Sequence, residues 1–262
     1  MAEPIRVGVL GLTHDHVWGN LAELGASGLG KLAAAADPNA ALLEKLRAET
    51  GCSQVFESYA EMLEQVELDA VYIYADNATG ADLAVMAANA GLHVMVEKPM
   101  ASMLEGAVSM LAASRAAGKL LMVNWPFAWW PGLQKAFAMV HAGEIGQVFS
   151  VKYRSAHAGP KELGCSPYFY EWLYDEELNG AGALMDYCCY GAALARYLLG
   201  MPNRVMGMAG HLLKDYVTVD DNAVILMQWP RAMAVSEASW TQIGHLTSYQ
   251  AVIYGSDGTL LI

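Results

Sequence analysis

The chain has 262 residues, of which 55% are hydrophobic, and its 27 acidic and 15 basic side chains give a net charge of −12. This balance argues against binding to nucleic acid or to an anionic membrane surface, because both require basic patches. No apolar run approaches the roughly 18 residues that span a bilayer, and no basic stretch precedes the first apolar one, so we expect neither a membrane anchor nor a signal peptide. The four cysteines show no paired C-x-x-C spacing, which indicates free thiols in a reducing, cytoplasmic compartment.

The first half of the chain alternates short apolar runs with segments of helical character. Serine or threonine precedes an acid by three residues at Ser58, Thr79 and Ser102, which predicts three helix starts, and the first helix is predicted to begin at His14. The predicted strands cover 5–10, 31–36, the vicinity of Val55, 70–74, 92–96 and 120–123. Because strands and helices alternate, residues 1–124 are expected to form an α/β domain with a doubly wound parallel sheet.

From residue 125 onward the pattern changes. Helices are predicted near 132–142 and 185–199, and longer strands at 148–153, 204–212, 223–229, 232–240 and 249–254. Consecutive strands without intervening helices predict a second, α+β domain over 125–262 with a mainly antiparallel open sheet. Residues 155–180 form a long loop, and loops of this length inside a domain are usually functional or mobile.

The turn after the first strand tests for a dinucleotide site. It keeps only Gly11 of the G-x-G-x-x-G fingerprint, although Thr13 could cap the following helix and the helix N-terminus at His14 would attract phosphate. Asp15 opposes a diphosphate. Asp37 ends the second strand, where an acid binds the adenosine ribose and favours NAD over NADP; capping the helix after Pro38 is the alternative role.

Glu97 and Lys98 follow a buried strand and precede Pro99. Ligands bind at the carboxyl ends of parallel strands, so both side chains are expected at a ligand site, with a surface ion pair as the alternative. His14 and His16 also suggest a metal-dependent hydrolase, with Asp76 and His93 as further ligands. No second histidine pair appears at the required places, so we assign no metal.

The second half offers another group of polar and aromatic candidates. Asp186 and Tyr190 lie four residues apart and would share a helix face, where a tyrosine can donate a proton to an alkoxide; a capping Asp186 and a core Tyr190 are the alternative. Trp125 belongs to an aromatic-rich set on which a sugar ring could stack, although most of that set is expected to be core. His157 and Lys161, in the long loop, are candidate substrate contacts.

Several segments together resemble the Gfo/Idh/MocA family of sugar and polyol dehydrogenases. They are, in order, 69–73 leading to Asn77, 91–99 with Glu97-Lys98-Pro99, 143–146, 180–190 and 254–260. The resemblance implies NAD as cofactor, with NADP less favoured, and a homo-oligomer formed through the open face of the second sheet. The implied cofactor-binding residues are Gly11, Thr13, His14, Asp37, Asn77, Glu97 and Lys98.

The same resemblance assigns the chemistry. Lys98 would contact the reacting hydroxyl near the nicotinamide, Asp186 would be the active-site aspartate, and Tyr190 stands where most members have a catalytic histidine and some have tyrosine. We therefore predict an NAD(H)-dependent oxidoreductase acting on a sugar, polyol or related substrate. The alternative is a non-catalytic sugar- or nucleotide-binding member of the same fold, since Thr13 and His16 replace fingerprint glycines. The chain also ends at Ile262, earlier than family members usually do, so a shortened second sheet is expected.

Overall fold

The computed structural model describes residues 3–244 and 250–262. Its strands are β1 (Ile5–Leu10), β2 (Gly30–Ala36), β3 (Val55–Phe56), β4 (Ala70–Ile73), β5 (His93–Glu97), β6 (Leu121–Asn124), β7 (Val148–Ala156), β8 (Arg204–Gly210), β9 (Asn222–Trp229), β10 (Ala232–Ser239), β11 (Ala251–Gly255) and β12 (Thr259–Leu261). Its helices are α1 (His16–Ser27), α2 (Ala40–Thr50), α3 (Tyr59–Gln65), α4 (Asn77–Asn89), α5 (Leu104–Ala117), α6 (Pro131–His141), α7 (Pro167–Leu173), α8 (Glu176–Asn179) and α9 (Cys189–Leu199). None of the helices in these ranges combines the length and apolar character that crossing a bilayer requires.

The described chain forms two compact units. The first contains residues 1–124, 165–173 and 177–180, and the second contains residues 125–164, 174–176 and 181–262. Two short segments from the predicted long loop therefore pack with the first unit. Within that unit, the Asn77 side chain donates a hydrogen bond to Asn179, and Gly180 lies against the backbone of Ser102.

The first unit contains a six-stranded parallel sheet in the order β3-β2-β1-β4-β5-β6. This order reverses between β1 and β4, and such a switch point is where doubly wound sheets bind ligands. Strands β1 and β5 are buried along most of their length because helices connect consecutive strands, as the apolar runs predicted. The predicted α/β fold is confirmed.

The helix starts were predicted with mixed success. Ser58 accepts a hydrogen bond from Glu61 N and caps α3 as expected. The prediction for Thr79 was wrong, because Asp76 caps α4 by accepting a hydrogen bond from Thr79 N. The prediction for Ser102 was also wrong, since α5 begins at Leu104 with Met103 in the capping position.

The second unit contains a six-stranded mixed sheet in the order β12-β11-β7-β10-β9-β8. Strands β7 and β10 pair in parallel, and the other neighbouring pairs are antiparallel, in agreement with the mainly antiparallel prediction. Helix α9 packs on β7 and β10, and the core between them includes Tyr153, Leu194 and Ala234. The last predicted strand covers 249–254. Tyr249 lies outside the described residues, and β11 begins at Ala251.

Candidate active site

The carboxyl ends of β1, β2 and β5 place the predicted residues of the first unit along one edge of the parallel sheet. Gly11 follows β1, Asp37 follows β2, and Glu97 ends β5 with Lys98 directly after it. These are neighbouring positions because β1 pairs with β2 and with β4, and β4 pairs with β5. The edge was predictable from strand order alone, since parallel strands share one carboxyl end.

Gly11 makes the tight turn that the fingerprint requires. Its φ is +81°, and a Cβ at this position would lie 2.6 Å from the backbone nitrogen of Ala75. Both the left-handed backbone and the close approach of β4 therefore exclude a side chain. The first element of the dinucleotide turn is present in this chain.

Asp37 ties this turn to the end of β2. Its Oδ2 accepts a hydrogen bond from Leu12 N at 2.7 Å and its Oδ1 accepts one from Asn39 N at 2.7 Å, while the residue is only 2% exposed. Burial raises the pKa of the carboxyl group, and the two backbone donors partly offset that rise. Asp37 does not cap α2, because the side chain of Asn39 does so.

The backbone donors of the turn are largely engaged within the first unit. His14 N donates to Tyr74 O at 2.9 Å, His16 N to His14 Nδ1 at 3.3 Å, and Val17 N to His14 O at 3.0 Å. Thr13 does not cap α1 as predicted, since its hydroxyl donates to Tyr74 O at 3.3 Å. Backbone N–H groups that bind diphosphate in a glycine-rich turn thus donate, in part, to acceptors of the protein itself.

Asp15 occupies the position before α1, and its carboxylate binds a segment that is distant in sequence. It accepts hydrogen bonds from Ser166 N at 2.7 Å and from the Ser166 hydroxyl at 2.6 Å. Helix α7 follows directly, so this contact holds α7 beside the turn. Both oxygens of the acid that was expected to repel a diphosphate therefore accept hydrogen bonds from Ser166.

His14, His16 and Glu97 form a compact cluster at this edge. His16 Nδ1 lies 3.1 Å from Glu97 Oε2, and the rings of His14 and His16 are 4.4 Å apart between centroids. The His14 ring also contacts Phe169 and Trp172 of α7. Burial holds the pKa of His14 well below its usual value, and the charges of His16 and Lys98 lower it further.

Glu97 is the centre of a hydrogen-bond network that includes residues of α1 and of β6. Its side chain is 3% exposed and accepts hydrogen bonds from Asn124 Nδ2 at 2.7 Å, Asn20 Nδ2 at 3.4 Å and Lys98 N at 3.3 Å. Lys98 itself is 4% exposed. A buried lysine next to a buried, hydrogen-bonded carboxylate is held in one place, which suits a group that must meet a ligand with fixed geometry.

Three other candidates of the first unit have structural partners. Asn77, a predicted cofactor residue, is buried and donates to Asn179 Oδ1 at 2.7 Å. Asp76 caps α4, and His93 Nδ1 accepts a hydrogen bond from Leu120 N at 3.1 Å. Neither Asp76 nor His93 belongs to the histidine cluster, contrary to the metal hypothesis drawn from the sequence.

In the second unit, Asp186 lies in a π-helical turn, Leu184–Cys188, that precedes α9. Trp240 Nε1 donates to Asp186 Oδ2 at 3.0 Å, which orients the carboxylate. The turn is held from β10, because the Ser236 hydroxyl donates to Cys188 O at 3.0 Å. Single π-helical turns are frequent at functional sites, but the α-helical spacing assumed from the sequence does not apply at Asp186.

Tyr190 is buried among aromatic rings of the second unit. Its ring centroid lies 4.9 Å from Phe127, 5.4 Å from Trp125 and 5.9 Å from Tyr153. Trp125, the predicted stacking residue, therefore packs edge-on against Tyr190. Trp125 thus contributes to the core, and Phe169 and Trp172 of the same aromatic-rich set are buried, whereas Trp129, Trp130 and Tyr168 are exposed.

The two predicted loop residues differ in their surroundings. His157 Nδ1 accepts a hydrogen bond from Gly159 N at 2.9 Å, and its ring packs edge-on against Tyr187 at 5.0 Å. Lys161 is exposed, and its ammonium lies 4.9 Å from the Tyr216 ring centroid. These contacts do not test the predicted role of either residue in substrate binding.

Sequence reasoning missed several partners of the predicted residues: Asn20, Asn124, Trp172 and Trp240. Asn124 could have been found, because it ends β6 at the same sheet edge as Glu97 ends β5, and the two strands pair there. Trp172 and Trp240 had no local signal, since each meets its partner only through the tertiary fold.

The residues present fit a dinucleotide at this edge. The Gly11 turn leaves no room for a side chain, and the Asp37 carboxylate keeps acceptor capacity, because each ionised oxygen has two lone pairs and accepts one described hydrogen bond. The indole nitrogen of Trp172 is buried without a hydrogen-bond partner, which leaves one donor available to a ligand. Gly11 and Asp37 thus leave space and acceptor capacity for the adenosine end of a dinucleotide.

Comparisons with known proteins agree with this geometry. Residues 5–125 match the model of the oxidoreductase family with an NAD-binding Rossmann fold, and residues 133–261 match the GFO/IDH/MocA C-terminal domain. A D-xylose 1-dehydrogenase (NADP(+)) of Haloferax volcanii is 33% identical over 60% of this chain and 46% of its own length. A dTDP-3,4-didehydro-2,6-dideoxy-alpha-D-glucose 3-reductase of Actinomadura kijaniata is 31% identical over 86% of this chain and 65% of its own length.

A solved structure extends the likeness to nearly the whole chain. The WlbA dehydrogenase from Bordetella pertussis, in complex with NADH and UDP-GlcNAcA, has a TM-score of 0.84 and 25% identity, and covers 99% of this chain and 73% of its own. This chain spans less than two thirds of the length of the D-xylose 1-dehydrogenase and of the 3-reductase. Because the two family models together cover nearly all of residues 5–261, the chain belongs to the GFO/IDH/MocA family.

Proposed function

We propose that this protein is an NAD(H)-dependent oxidoreductase that transfers a hydride between the nicotinamide and a carbon of a sugar, a polyol or a related hydroxyl or carbonyl substrate. The observation that carries the proposal is the buried Lys98 at the end of β5, beside the hydrogen-bonded Glu97 and on the same sheet edge as Asp37. A buried ammonium group directly after an inner strand lies at the carboxyl edge of the sheet, where doubly wound sheets bind their ligands.

The proposed cofactor preference follows from Asp37. A carboxylate at the end of β2 accepts a hydrogen bond from the ribose 2′-hydroxyl of NAD and repels the 2′-phosphate of NADP. Its hydrogen bonds to Leu12 N and Asn39 N keep it at this position. The diphosphate would then meet Thr13, which replaces a fingerprint glycine, and His14.

The proposed chemistry divides between the cofactor and three side chains. The nicotinamide supplies or accepts the hydride. Lys98 donates a hydrogen bond to the substrate oxygen and stabilises the negative charge that develops there. Tyr190 is the proposed proton donor in reduction and proton acceptor in oxidation, so that a hydride reaches carbon while a proton reaches oxygen. Asp186, oriented by Trp240, is proposed to bind the substrate hydroxyl.

The substrate is proposed to be a sugar or sugar derivative. The names of the relatives and the WlbA complex refer to a pentose, a nucleotide-linked deoxysugar and a UDP-sugar. Trp125, His157 and Lys161 remain proposed contacts. An aromatic face stacks on a sugar ring, and an imidazole or an ammonium group binds hydroxyls or acidic substituents.

Domain roles and assembly are part of the same proposal. Residues 1–124 are proposed as the dinucleotide-binding domain and residues 125–262 as the substrate and oligomerisation domain. A homo-oligomer through the open face of the second sheet is supported by exposed apolar side chains on three consecutive strands of that sheet: Met206 and Met208 on β8, Leu226 on β9 and Met233 on β10. A cytoplasmic location is supported by cysteines that are all free among the described residues.

The proposal is tested by titrating the purified protein with NADH and with NADPH, using energy transfer from tryptophan to the nicotinamide. We expect saturable NADH binding and weaker NADPH binding, followed by activity in a screen of sugars and polyols. Lys98→Ala should lower activity by about 100-fold or more, because it removes a group acting on the reacting oxygen. Lys135→Ala, at an exposed position on α6, is the matched control. Unchanged activity in Lys98→Ala would refute the mechanism.

A non-catalytic member of the same fold is the second candidate. The internal hydrogen bonds of His14 N and His16 N favour it, because they reduce the donors available to a diphosphate. Failure of both NADH and NADPH to bind, with sugar or nucleotide binding retained, would select this candidate.

A further inference from the structure

His14, His16 and Glu97 form a cluster in the first unit whose ability to bind a metal the proposed function does not use. One ligand atom from each of these residues lies within 4.8 Å of the others. The residues come from the turn after β1, the start of α1 and the end of β5, so the fold rather than local sequence brings them together. Two imidazoles and one carboxylate are the ligand set of many zinc sites and of non-haem iron(II) sites.

Glu97 gives the cluster one carboxylate ligand. Among the described hydrogen-bond partners of the Glu97 carboxylate, two are neutral amides, one is a backbone N–H and only His16 can take a positive charge. A buried carboxylate is costly unless a charge or a full set of hydrogen bonds compensates it. A divalent ion shared with both imidazoles would supply that charge directly.

Trp172 provides a separate observation. Its Nε1 is buried and has no hydrogen-bond partner, and its ring lies 5.8 Å from the His14 ring. Buried donors without a partner are rare in folded proteins and usually indicate an unseen water, ion or ligand. A metal ion with three protein ligands keeps one position for water, and Trp172 brings a buried donor to the side of His14.

We propose that His14, His16 and Glu97 bind one divalent transition-metal ion, with Zn²⁺ as the best match to two nitrogen ligands and one oxygen ligand. At bond lengths of about 2.0–2.2 Å, tetrahedral ligand atoms lie about 3.3–3.6 Å apart, so the cluster must contract by about 1.5 Å at most. His16 is half-exposed and can make this adjustment by rotating its side chain. Asp76 and His93 are not part of the site.

The test uses the full chain without dinucleotide, so its outcome is independent of the proposed oxidoreductase activity. The protein is stripped with a chelator and titrated with Co²⁺, whose visible ligand-field bands report coordination by nitrogen and oxygen. We expect one equivalent of Co²⁺ to bind, Zn²⁺ to displace it, and Mg²⁺ to leave it in place, because Mg²⁺ prefers an all-oxygen octahedral site.

Two ligand variants and one control identify the site. His16→Gln and Glu97→Gln should each weaken Co²⁺ binding by at least about tenfold. His141→Gln, at an exposed histidine at the end of α6 in the second unit, should leave it unchanged. Circular dichroism checks that each variant is folded. If His16→Gln does not fold, Glu97→Gln still tests the site, because glutamine keeps the shape of the glutamate side chain. Absence of saturable binding, or equal affinity in both ligand variants and the original protein, would overturn the proposal.

Discussion

Replacing Gly11 with alanine is the sharpest test of the turn that links β1 to the sheet edge. Gly11 has a φ of +81°, and a Cβ there would lie 2.6 Å from Ala75 N and 2.9 Å from Ala75 Cα. The obstacle is backbone of the adjacent strand connection, which cannot move aside as a flexible side chain can. The substitution therefore adds backbone strain and a steric overlap at the same time.

Gly51→Ala separates these two contributions. Gly51 ends α2 with a φ of +71°, in the same unit, and a Cβ there would meet no atom within 4 Å. A left-handed alanine costs about 1–2 kcal/mol in either position, and the entropy that alanine removes from the unfolded chain is the same for both. Overpacking against backbone adds about 1–3 kcal/mol at Gly11 alone. We expect destabilisation by about 2–5 kcal/mol for Gly11→Ala and about 1–2 kcal/mol for Gly51→Ala.

Urea unfolding of the two variants measures these differences from the transition midpoint, provided that the slope with denaturant is unchanged. Circular dichroism reports the loss of structure. If the two variants lose the same free energy of unfolding within about 0.5 kcal/mol, the close approach of Ala75 does not limit this turn and the reasoning is refuted.

Two further predictions concern carboxylates of the first unit. Asp37→Asn replaces one of the two carboxylate oxygens that accept hydrogen bonds from Leu12 N and Asn39 N with an amide NH₂ group, which cannot accept. We therefore expect the free energy of unfolding to fall by about 1–3 kcal/mol in the same urea assay. No loss would contradict the proposed role of Asp37 in holding the Leu12 turn. Hydrogen bonds from Arg6 lower the pKa of Asp69 to about 2 from 3.8, so its contribution to stability is present above pH 3.8 and is lost as the pH falls towards 2. Asp69→Asn should flatten the pH dependence of stability in that window, and an unchanged slope would argue against the Arg6 contact.

Much of the candidate site could be predicted because it depends on strand ends. Strand β5 was recognisable as a buried apolar run, and a residue that follows such a strand must lie at the carboxyl edge of a parallel sheet. Asp37 was placed by the same reasoning after β2. The roles of these residues in catalysis and cofactor binding stay predictions, whereas their common edge is a property of the fold.

The contacts that complete the site were beyond sequence reasoning. Thr13 was considered as a possible cap of α1, yet its hydroxyl donates a hydrogen bond to Tyr74 O, directly after β4. Asp15 binds Ser166, which is 151 residues away in the chain. The π-helical turn at Asp186 depends on Ser236 of β10, which no local pattern around residue 186 indicates. Each of these outcomes was decided by a competing partner from another element.

The sequence by itself determined the alternation of strands and helices over residues 1–124, the parallel character of the first sheet, and the side chains at its carboxyl edge, whereas α7 and α8 lie in the segment 155–180 that was predicted as a loop. Periodicity, turn residues and strand-end geometry act over a few residues, so they can be read locally. Only the tertiary structure decided that His16 meets Glu97 across 81 residues and that Trp172 of α7 lies beside His14. The physical reason is that hydrogen bonds and packing between distant segments depend on the three-dimensional register of the elements, which no local spacing encodes.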